Sequence, residues 1–280
     1  MAQETLIVAL GERRYAVHRN WAKLPSGQDF GFLSDVAVDS EGNVHVGQRS
    51  NPPMLVFDPA GRQIGSWGED EIADVHGVSS TADGRVLVVD RDAHQVLIHD
   101  TQGKRRLALG KRHAPALQAP FNHPTSAAVA PDGDIYVSDG YGNSLVHRFG
   151  ADGRLKRTWG GRGTGPGQFT TPHAVWIDSR GRVLVGDREN NRVQIFDRDG
   201  NYLTEWGDFY HPMAIYGDDR DMIYVTDQIP RITMLSLDGE LVGRCRGTLN
   251  GAHGMSGDAA GNFYLSELPP ERITRLTLLS

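Results

Sequence analysis

Three histidines occupy equivalent positions in alternate copies of a repeated sequence motif. His76, His173 and His253 each lie eight residues before the central turn residue of their copy. A single histidine at a strand start is usually a packed residue, but a recurring one is a candidate ligand. Three neutral imidazoles with a fourth position open to water or substrate form a typical catalytic zinc site. The spacing therefore predicts a metal centre built from these histidines, with zinc as the metal.

Arginines follow the same turns at a second fixed distance. Arg49, Arg91 and Arg188 each lie seven residues after a turn residue, and Tyr141 adjoins the equivalent glycine of the third copy. In a chain of net charge -6, three arginines at one rim would concentrate positive potential and suit a carboxylate-bearing substrate. We expect Arg91 and Met213, which takes the histidine position in the fifth copy, to contact that substrate. The alternative is that the arginines lie on the surface without a chemical role.

Both sets of positions come from six copies of a strand, turn, strand unit. Examples are "VSSTADGRVLVVD", "AAVAPDGDIYVSD" and "VWIDSRGRVLVGD", in which Asp and Gly form the turn and β-branched residues fill the strands. A third strand follows each unit, and a fourth often ends in Trp-Gly, at Trp67, Trp159 and Trp206. Each repeat is therefore predicted to be a four-stranded antiparallel sheet. The position just before the arginines is acidic in nearly every copy, which indicates a structural role.

A four-stranded unit of this size cannot bury both of its faces alone. Six such units around a central axis form a six-bladed β-propeller, an all-β fold in which alternate blades lie about 120° apart and the histidines converge. The last copy has only three strands, and an N-terminal strand predicted over 13–22 completes it and closes the ring. We predict a single domain over 1–280, with blades at approximately 32–68, 75–110, 124–160, 172–207, 212–247 and 252–280.

The composition argues against several classes of partner. The 35 acidic residues outnumber the 29 basic ones, so the chain lacks the basic surface that nucleic acid or an anionic membrane requires. The N-terminal region has only a five-residue apolar run, at 6–10, which predicts neither a secretory signal nor a membrane span. The single cysteine, Cys245, leaves no internal disulfide and fits a cytoplasmic protein. We expect a cytoplasmic monomer.

The motifs resemble those of a known family. The segments "VHGVSSTADGRVLVVDRDAHQV", "GPGQFTTPHAVWI" and "AHGMSGDAAGNFYLSE" are similar to NHL-repeat propellers and, more closely, to the catalytic core of peptidyl-α-hydroxyglycine α-amidating lyase, over most of the chain. The resemblance implies that the three histidines bind zinc. It also implies that Tyr141, in "SDGYGNS", is the catalytic base, and that the active-site arginines are Arg49, in "GQRSN", and Arg188, in "GDREN".

The family reaction cleaves the C–N bond of an α-hydroxyglycine and releases an amide and glyoxylate. Zinc would polarise the substrate hydroxyl or a carboxylate oxygen. Tyr141 would remove the hydroxyl proton with help from a neighbouring cation, since an ordinary tyrosine titrates near pH ~10. Arg49 and Arg188 are suited to supply that cation and to clamp a carboxylate. The sequence does not decide which arginine has which role.

The chain departs from the family pattern in three places. Asn122 and Gly142 stand where secreted members carry the cysteines of a disulfide. Gly254 stands where the family has an aspartate that helps to bind a structural calcium ion, which argues against calcium here. Arg91 replaces an apolar residue and adds a third cation. These departures favour a small anionic substrate, such as an α-hydroxy amide or a ureide.

Two other functions are compatible with the sequence. A zinc-dependent, lactonase-like hydrolase would use the same metal with water as the nucleophile, although propeller lactonases usually hold their metal with carboxylates and asparagine. A non-catalytic NHL propeller would instead bind a protein partner on one face. The resemblance favours a third interpretation, a zinc-dependent lyase that releases glyoxylate from a small carboxylate-bearing carbinolamide.

Overall fold

The computed structural model describes residues 5–100 and 102–279 of the chain. The remaining positions of the predicted domain, 1–4, 101 and 280, lie outside the described residues. The described part consists of strands joined by turns and loops, with one short 3-10 helix, Arg188–Asn190. Among these residues no helix is both long enough and apolar enough to cross a membrane.

Six antiparallel sheets form the six blades. The N-terminal strands are β1 (Ile7–Leu10) and β2 (Arg13–His18). Blade 1 comprises β3 (Leu33–Val38), β4 (Val44–Gln48), β5 (Met54–Phe57) and β6 (Gln63–Trp67). Blade 2 comprises β7 (Val75–Ser80), β8 (Val86–Asp90), β9 (Gln95–His99) and β10 (Arg105–Gly110). Blade 3 comprises β11 (Ser126–Val129), β12 (Ile135–Asp139), β13 (Leu145–Phe149) and β14 (Leu155–Gly160).

The second half of the chain repeats this arrangement. Blade 4 comprises β15 (Pro172–Ile177), β16 (Val183–Asp187), β17 (Arg192–Phe196) and β18 (Tyr202–Trp206). Blade 5 comprises β19 (Pro212–Gly217), β20 (Ile223–Asp227), β21 (Ile232–Leu235) and β22 (Leu241–Cys245). Blade 6 comprises β23 (Ala252–Gly257), β24 (Phe263–Glu267) and β25 (Arg272–Leu278), with β2 and β1 beside them. The predicted all-β, six-bladed propeller is confirmed.

The turn between the first two strands of each blade is closed by the same backbone hydrogen bond, and an aspartate side chain supports it in blades 1, 4, 5 and 6. In blade 1 the amide of Gly42 donates to the carbonyl oxygen of Asp39, and one carboxylate oxygen of Asp39 accepts the amides of Glu41 and Asn43. Gly42 has φ 82°, a left-handed conformation that glycine adopts without strain. Blade 5 has Asp221 there, at φ 60°. The repeated Asp/Gly spacing in the sequence therefore reflects the left-handed backbone conformation that this turn requires.

The N-terminal strand closes the ring, as predicted. It extends over Arg13–His18, pairs with β25 and so supplies the fourth strand of blade 6. Trp21 lies beyond the strand and packs edge-on against Tyr264, with 4.8 Å between the ring centroids. The structure adds a fifth strand that the sequence did not predict, since β1 pairs with β2 at the outer edge of this blade.

The hydrophobic core is divided among the six interfaces between neighbouring blades. The cluster between blades 3 and 4, for example, contains Val146, Trp159, Phe169 and Val183. Each inner strand contacts the inner strands of the next blades, and β23 contacts β3 to complete the circle. Because burial comes from blade-to-blade packing, the ring holds the inner strands at fixed positions around the axis.

Candidate metal centre and active site

The three predicted histidines meet at the axis. Each is the second residue of its inner strand, and the ring centroids of His76, His173 and His253 lie 4.9 to 5.0 Å apart. One ring nitrogen from each lies within 4.8 Å of the other two. The register of β7, β15 and β23 against their partner strands shifts at the histidine. Such a β-bulge re-aims a side chain, which explains why these residues converge.

The intervening blades fix the tautomer of each ring. Nδ1 of His76 lies 2.7 Å from the carbonyl oxygen of Thr125. Nδ1 of His173 and of His253 makes the same contact with Met213, at 2.8 Å, and Ser34, at 2.7 Å. A carbonyl oxygen can only accept, so Nδ1 carries the proton and Nε2 presents its lone pair. An outer hydrogen bond of this kind orients metal-binding histidines in general.

Burial keeps the three imidazoles neutral. Burial, together with the charge of Arg49, lowers the pKa of His253 to about 3. Burial and the neighbouring histidines hold the pKa of His76 and of His173 well below 6.5. Nε2 of His173 is buried and has no hydrogen-bond partner among the described residues, and an orphaned buried nitrogen of this kind needs an explanation. A metal ion bound by the three neutral imidazoles would engage this nitrogen and explain why it has no other partner. The residues therefore fit a metal.

Tyr141 and Arg188 lie directly beside this centre. The hydroxyl oxygen of Tyr141 is 3.0 Å from Nε2 of His76, and Nη1 of Arg188 is 3.3 Å from the same oxygen. The Tyr141 side chain is also accessible, since 40% of the residue is exposed. A phenol, a guanidinium and an imidazole lone pair thus converge where the chain meets solvent.

Arg49 and Arg91 are joined by an aspartate that the sequence analysis missed. Nε of Arg49 lies 3.5 Å from one carboxylate oxygen of Asp74, and an Nη atom of Arg91 lies 3.2 Å from the other. Arg91 also pairs with Asp92 at 2.8 Å. Burial raises the pKa of Asp74, and both arginines oppose this shift. The sequence signal that could have identified Asp74 is its position two residues before His76.

Arg49 is the less neutralised of these two cations. Its guanidinium carbon lies 4.8 Å from the ring centroid of Phe32. Burial lowers the pKa of Arg49, and Asp74 opposes this shift. Arg91 has two carboxylate partners, whereas Arg49 has one at the longer distance. An incoming carboxylate would therefore gain more from Arg49.

Backbone hydrogen bonds explain how the loop residues reach this mouth. The amides of Arg49, Arg91 and Arg188 each donate to the carbonyl oxygen of the residue two positions before the histidine column, at 2.8 to 3.1 Å. In blade 3 the amide of Tyr141 makes this contact, to His123 at 3.3 Å. Blade 3 has one extra residue before the contact, Gly140, and Tyr141 stands where blades 1, 2 and 4 place arginine.

The acidic column has the structural role that its repetition indicated. Asp187 accepts the amide of Thr170, and Asp139 accepts the amide of Asn122. Asp90 accepts two amides in the same loop of blade 2, including that of Asp74. These buried carboxylates hold the segments that precede the histidine column.

Met213 is placed differently from the arginines. Its side chain is buried, and its carbonyl oxygen is the partner of His173. Met213 lines a channel cavity of about 280 Å³ whose wall contains the three histidines but none of Tyr141, Arg49, Arg91 or Arg188. Met213 therefore lines this cavity together with the histidines, and its contact with the substrate stays a prediction.

The position of the family's calcium-binding aspartate is already filled. A Cβ atom on Gly254 would lie 2.0 Å from a carboxylate oxygen of Asp35. That carboxylate accepts the amides of Val36 and Val78, so it ties blade 1 to blade 2. Burial raises the pKa of Asp35 to about 7. Asp35 thus places a carboxylate of blade 1 beside position 254, and the expectation that calcium is lacking stays a prediction.

The fold and the site together define an NHL-repeat β-propeller with three buried histidines placed to hold a metal ion. The NHL repeat model matches residues 121–149 and 169–196. The chain is 30% identical over 257 residues to the Caenorhabditis elegans protein named probable peptidyl-alpha-hydroxyglycine alpha-amidating lyase, an alignment that covers 85% of this chain and 73% of that one. The chain belongs to the peptidyl-α-hydroxyglycine α-amidating lyase family.

Other relatives are longer than the part that matches. Human NHL repeat-containing protein 3 is 33% identical over 212 residues, covering 70% of this chain and 60% of that protein. Rat peptidylglycine alpha-amidating monooxygenase is 36% identical over 203 residues, covering 60% of this chain and 21% of that protein. The chain thus spans only a part of these two relatives.

Solved structures share the fold at low identity. A gluconolactonase from Xanthomonas campestris superposes with a TM-score of 0.75 at 16% identity and covers 96% of this chain and 91% of its own. Virginiamycin B lyase from Staphylococcus aureus gives a TM-score of 0.68 at 17% identity and covers 95% and 100%. At this level of identity, the similarity shows that the chain shares the propeller fold with these proteins.

Proposed function

We propose that this protein is a zinc-dependent lyase that cleaves the C–N bond of a small carboxylate-bearing carbinolamide. The products are glyoxylate and an amide, or urea when the substrate is a ureide. The observation that carries the proposal is the meeting of the Tyr141 hydroxyl, Arg188 and Nε2 of His76 at one point. Membership of the amidating lyase family supports the reaction class.

His76, His173 and His253 would hold the metal through Nε2. Three neutral imidazoles with an open fourth position favour zinc over calcium or magnesium, which prefer oxygen ligands. When bound, zinc supplies a Lewis acid that polarises a substrate oxygen and makes the hydroxyl proton easier to remove.

Tyr141 is the proposed base. Its oxygen takes the proton of the substrate hydroxyl while the electrons of that O–H bond form the new C=O bond and the C–N bond breaks. The electron pair of the C–N bond goes to the amide nitrogen, which receives a proton, and Tyr141 is placed to return the one it removed. Arg188, 3.3 Å from the same oxygen, stabilises the negative charge that develops on the phenol.

Arg49 is the proposed ligand of the substrate carboxylate. Its guanidinium can bind a carboxylate through two parallel hydrogen bonds, and within the described part of the chain its one ionic partner is Asp74 at 3.5 Å. Arg91 is more fully paired, so we assign it to the electrostatics of the mouth and to a secondary contact with the substrate. The proposed substrate is accordingly a small anion.

The test is a glyoxylate assay with zinc-loaded protein. The substrates are a panel of N-acyl α-hydroxyglycines and ureidoglycolate, with a sugar lactone to detect hydrolase activity. We expect glyoxylate from at least one carbinolamide and no lactone opening. If no member of the panel yields glyoxylate while zinc is bound, the lyase proposal is wrong. Lactone opening would support the hydrolase instead.

A further inference from the structure

A second cavity adjoins the mouth on the outer side of Tyr141. It has a volume of about 260 Å³ and lies between the loops of blades 3 and 4. Tyr141 and Ser144 form one wall, and Arg162 and Thr170 form another. We refer to it as the Arg162 cavity. The channel cavity beneath the histidines shares none of these residues.

The Arg162 cavity is joined to the proposed catalytic groups from both sides. Tyr141 belongs to it and also contacts His76 through its hydroxyl. On the other wall, the carbonyl oxygen of Thr171 accepts the amide of Arg188, and that of Thr170 accepts the amide of Glu189. A group in this cavity would therefore lie next to the reacting centre.

The walls are polar and carry one charge. Besides Tyr141, the side chains are mainly hydroxyls and amides, those of Gln118, Asn143, Ser144, Thr170 and Thr171. Arg162 is exposed and forms no ion pair within the described residues, whereas Arg91 pairs with Asp92 and Arg188 with Glu189. A cation without a counterion beside a cavity favours an anionic group. The volume lies below the range of about 300 to 1,000 Å³ typical of ligand pockets, so it suits a short group.

We propose that the Arg162 cavity receives the amide-side arm of the substrate and that Arg162 binds an anion at the end of that arm. This inference rests on the proposed function, because the scissile carbon carries its hydroxyl, its carboxylate and its nitrogen in three different directions. The hydroxyl faces Tyr141 and the carboxylate faces Arg49, which leaves the nitrogen arm for the space beside Tyr141. The substrate class is then a short N-acyl α-hydroxyglycine whose acyl chain ends in a second carboxylate.

The inference is tested first by binding, without turnover. N-succinylglycine and N-acetylglycine lack the reactive hydroxyl, and calorimetry on the zinc-loaded protein compares their affinities. We expect N-succinylglycine to bind roughly tenfold more tightly, as for a charge-assisted hydrogen bond. Arg162→Gln should abolish this difference. Arg157→Gln, which removes another exposed arginine of the same blade, should preserve it.

The second test uses turnover and a variant that narrows the cavity. Ser144→Phe should lower kcat/KM for N-succinyl-α-hydroxyglycine by tenfold or more, with little effect on ureidoglycolate, whose arm is smallest. Equal affinity of the two acylglycines for the wild-type protein would overturn the inference, as would a preference that survives Arg162→Gln. These outcomes are independent of glyoxylate formation, so a failure of the lyase proposal is recognised separately, by the absence of glyoxylate from every substrate.

Discussion

The hydroxyl of Tyr141 donates a hydrogen bond to Nε2 of His76, with 3.0 Å between the two atoms. The direction follows from the other side of the ring, where Nδ1 of His76 gives its proton to the carbonyl oxygen of Thr125. A metal at the centre would need the same Nε2 lone pair. Metal binding and release of the Tyr141 hydroxyl are therefore coupled, and the freed hydroxyl keeps Arg188 as its partner.

Tyr141→Phe tests the proposed base without changing the metal ligands. The variant removes one oxygen and keeps the ring, so we expect zinc content and thermal stability close to wild type. Glyoxylate formation should fall by ~100-fold or more, the usual contribution of a general base. The control is Tyr210→Phe, which alters a half-exposed tyrosine packed edge-on against His211 and should leave activity and zinc content unchanged. Full activity in Tyr141→Phe would remove the assigned base.

His173→Ala tests the metal centre. Loss of one of three ligands should reduce bound zinc from about one ion per chain to a small fraction after dialysis, measured by mass spectrometry of the metal. His123→Ala is the matched control, because His123 packs edge-on against His94, with 4.3 Å between the ring centroids, and is not part of the centre. If His173→Ala retains stoichiometric metal and remains folded, the three-histidine site is wrong.

The fold and the histidine centre were predictable because both repeat. Each blade uses the same turn, so the spacing from Gly84 to His76 in blade 2 is also that from Gly181 to His173 in blade 4. A residue that recurs in alternate blades must recur at equal heights around the axis. The repeat spacing alone therefore predicts that the three imidazole rings converge.

The rest of the site could not be predicted because it depends on contacts between blades. The role of Asp74 is visible only where it meets Arg49 and Arg91. The repeat register placed these arginines at one rim but did not indicate that Asp74 lies between them. The carbonyl oxygen of Met213 is the partner of His173, a contact to which the identity of the side chain is irrelevant. The Arg162 cavity lies between two loops of different length, where the repeat register no longer applies.

Asp74→Asn should change how the mouth binds anions. The substitution keeps the shape of the side chain but removes the charge between Arg49 and Arg91. Freed cations attract an anionic ligand more strongly, so we expect KM for a carboxylate substrate to fall several-fold at low salt. Without the charge of Asp74, Arg49 is held less firmly and orients the substrate less well. We therefore expect kcat to fall in the same variant. Asp92→Asn removes a carboxylate that pairs with Arg91 and acts on Arg49 only from a distance, so it should give a smaller change. A rise in KM would contradict this assignment.

A disulfide should form between positions 122 and 142. The amide of Gly142 donates to the carbonyl oxygen of Asn122, at 2.9 Å, and a Cβ atom on Gly142 would lie 2.3 Å from Cγ of Asn122. The double variant Asn122→Cys, Gly142→Cys should therefore oxidise once the side chain at position 122 rotates to relieve this close approach. Closing this short loop stabilises a protein by about 3 kcal/mol, so Tm should rise by several degrees. Each single variant serves as a control, and a double variant that stays reduced in oxidant would show that the alignment is wrong.

The metal-free protein should lose stability in mild acid because its buried histidines resist protonation. The pKa of His253 is about 3 in the folded protein and 6.5 for the ordinary side chain, so between these values the unfolded chain binds the extra proton. The free energy of unfolding then falls by up to about 1.4 kcal/mol per pH unit for this residue as pH drops below 6.5, and it is unaffected above. Denaturant unfolding at several pH values between 6.5 and 5, where most carboxylates stay ionised, measures the slope. His253→Gln should show a shallower slope than the wild type. Identical slopes in the two proteins would contradict the prediction.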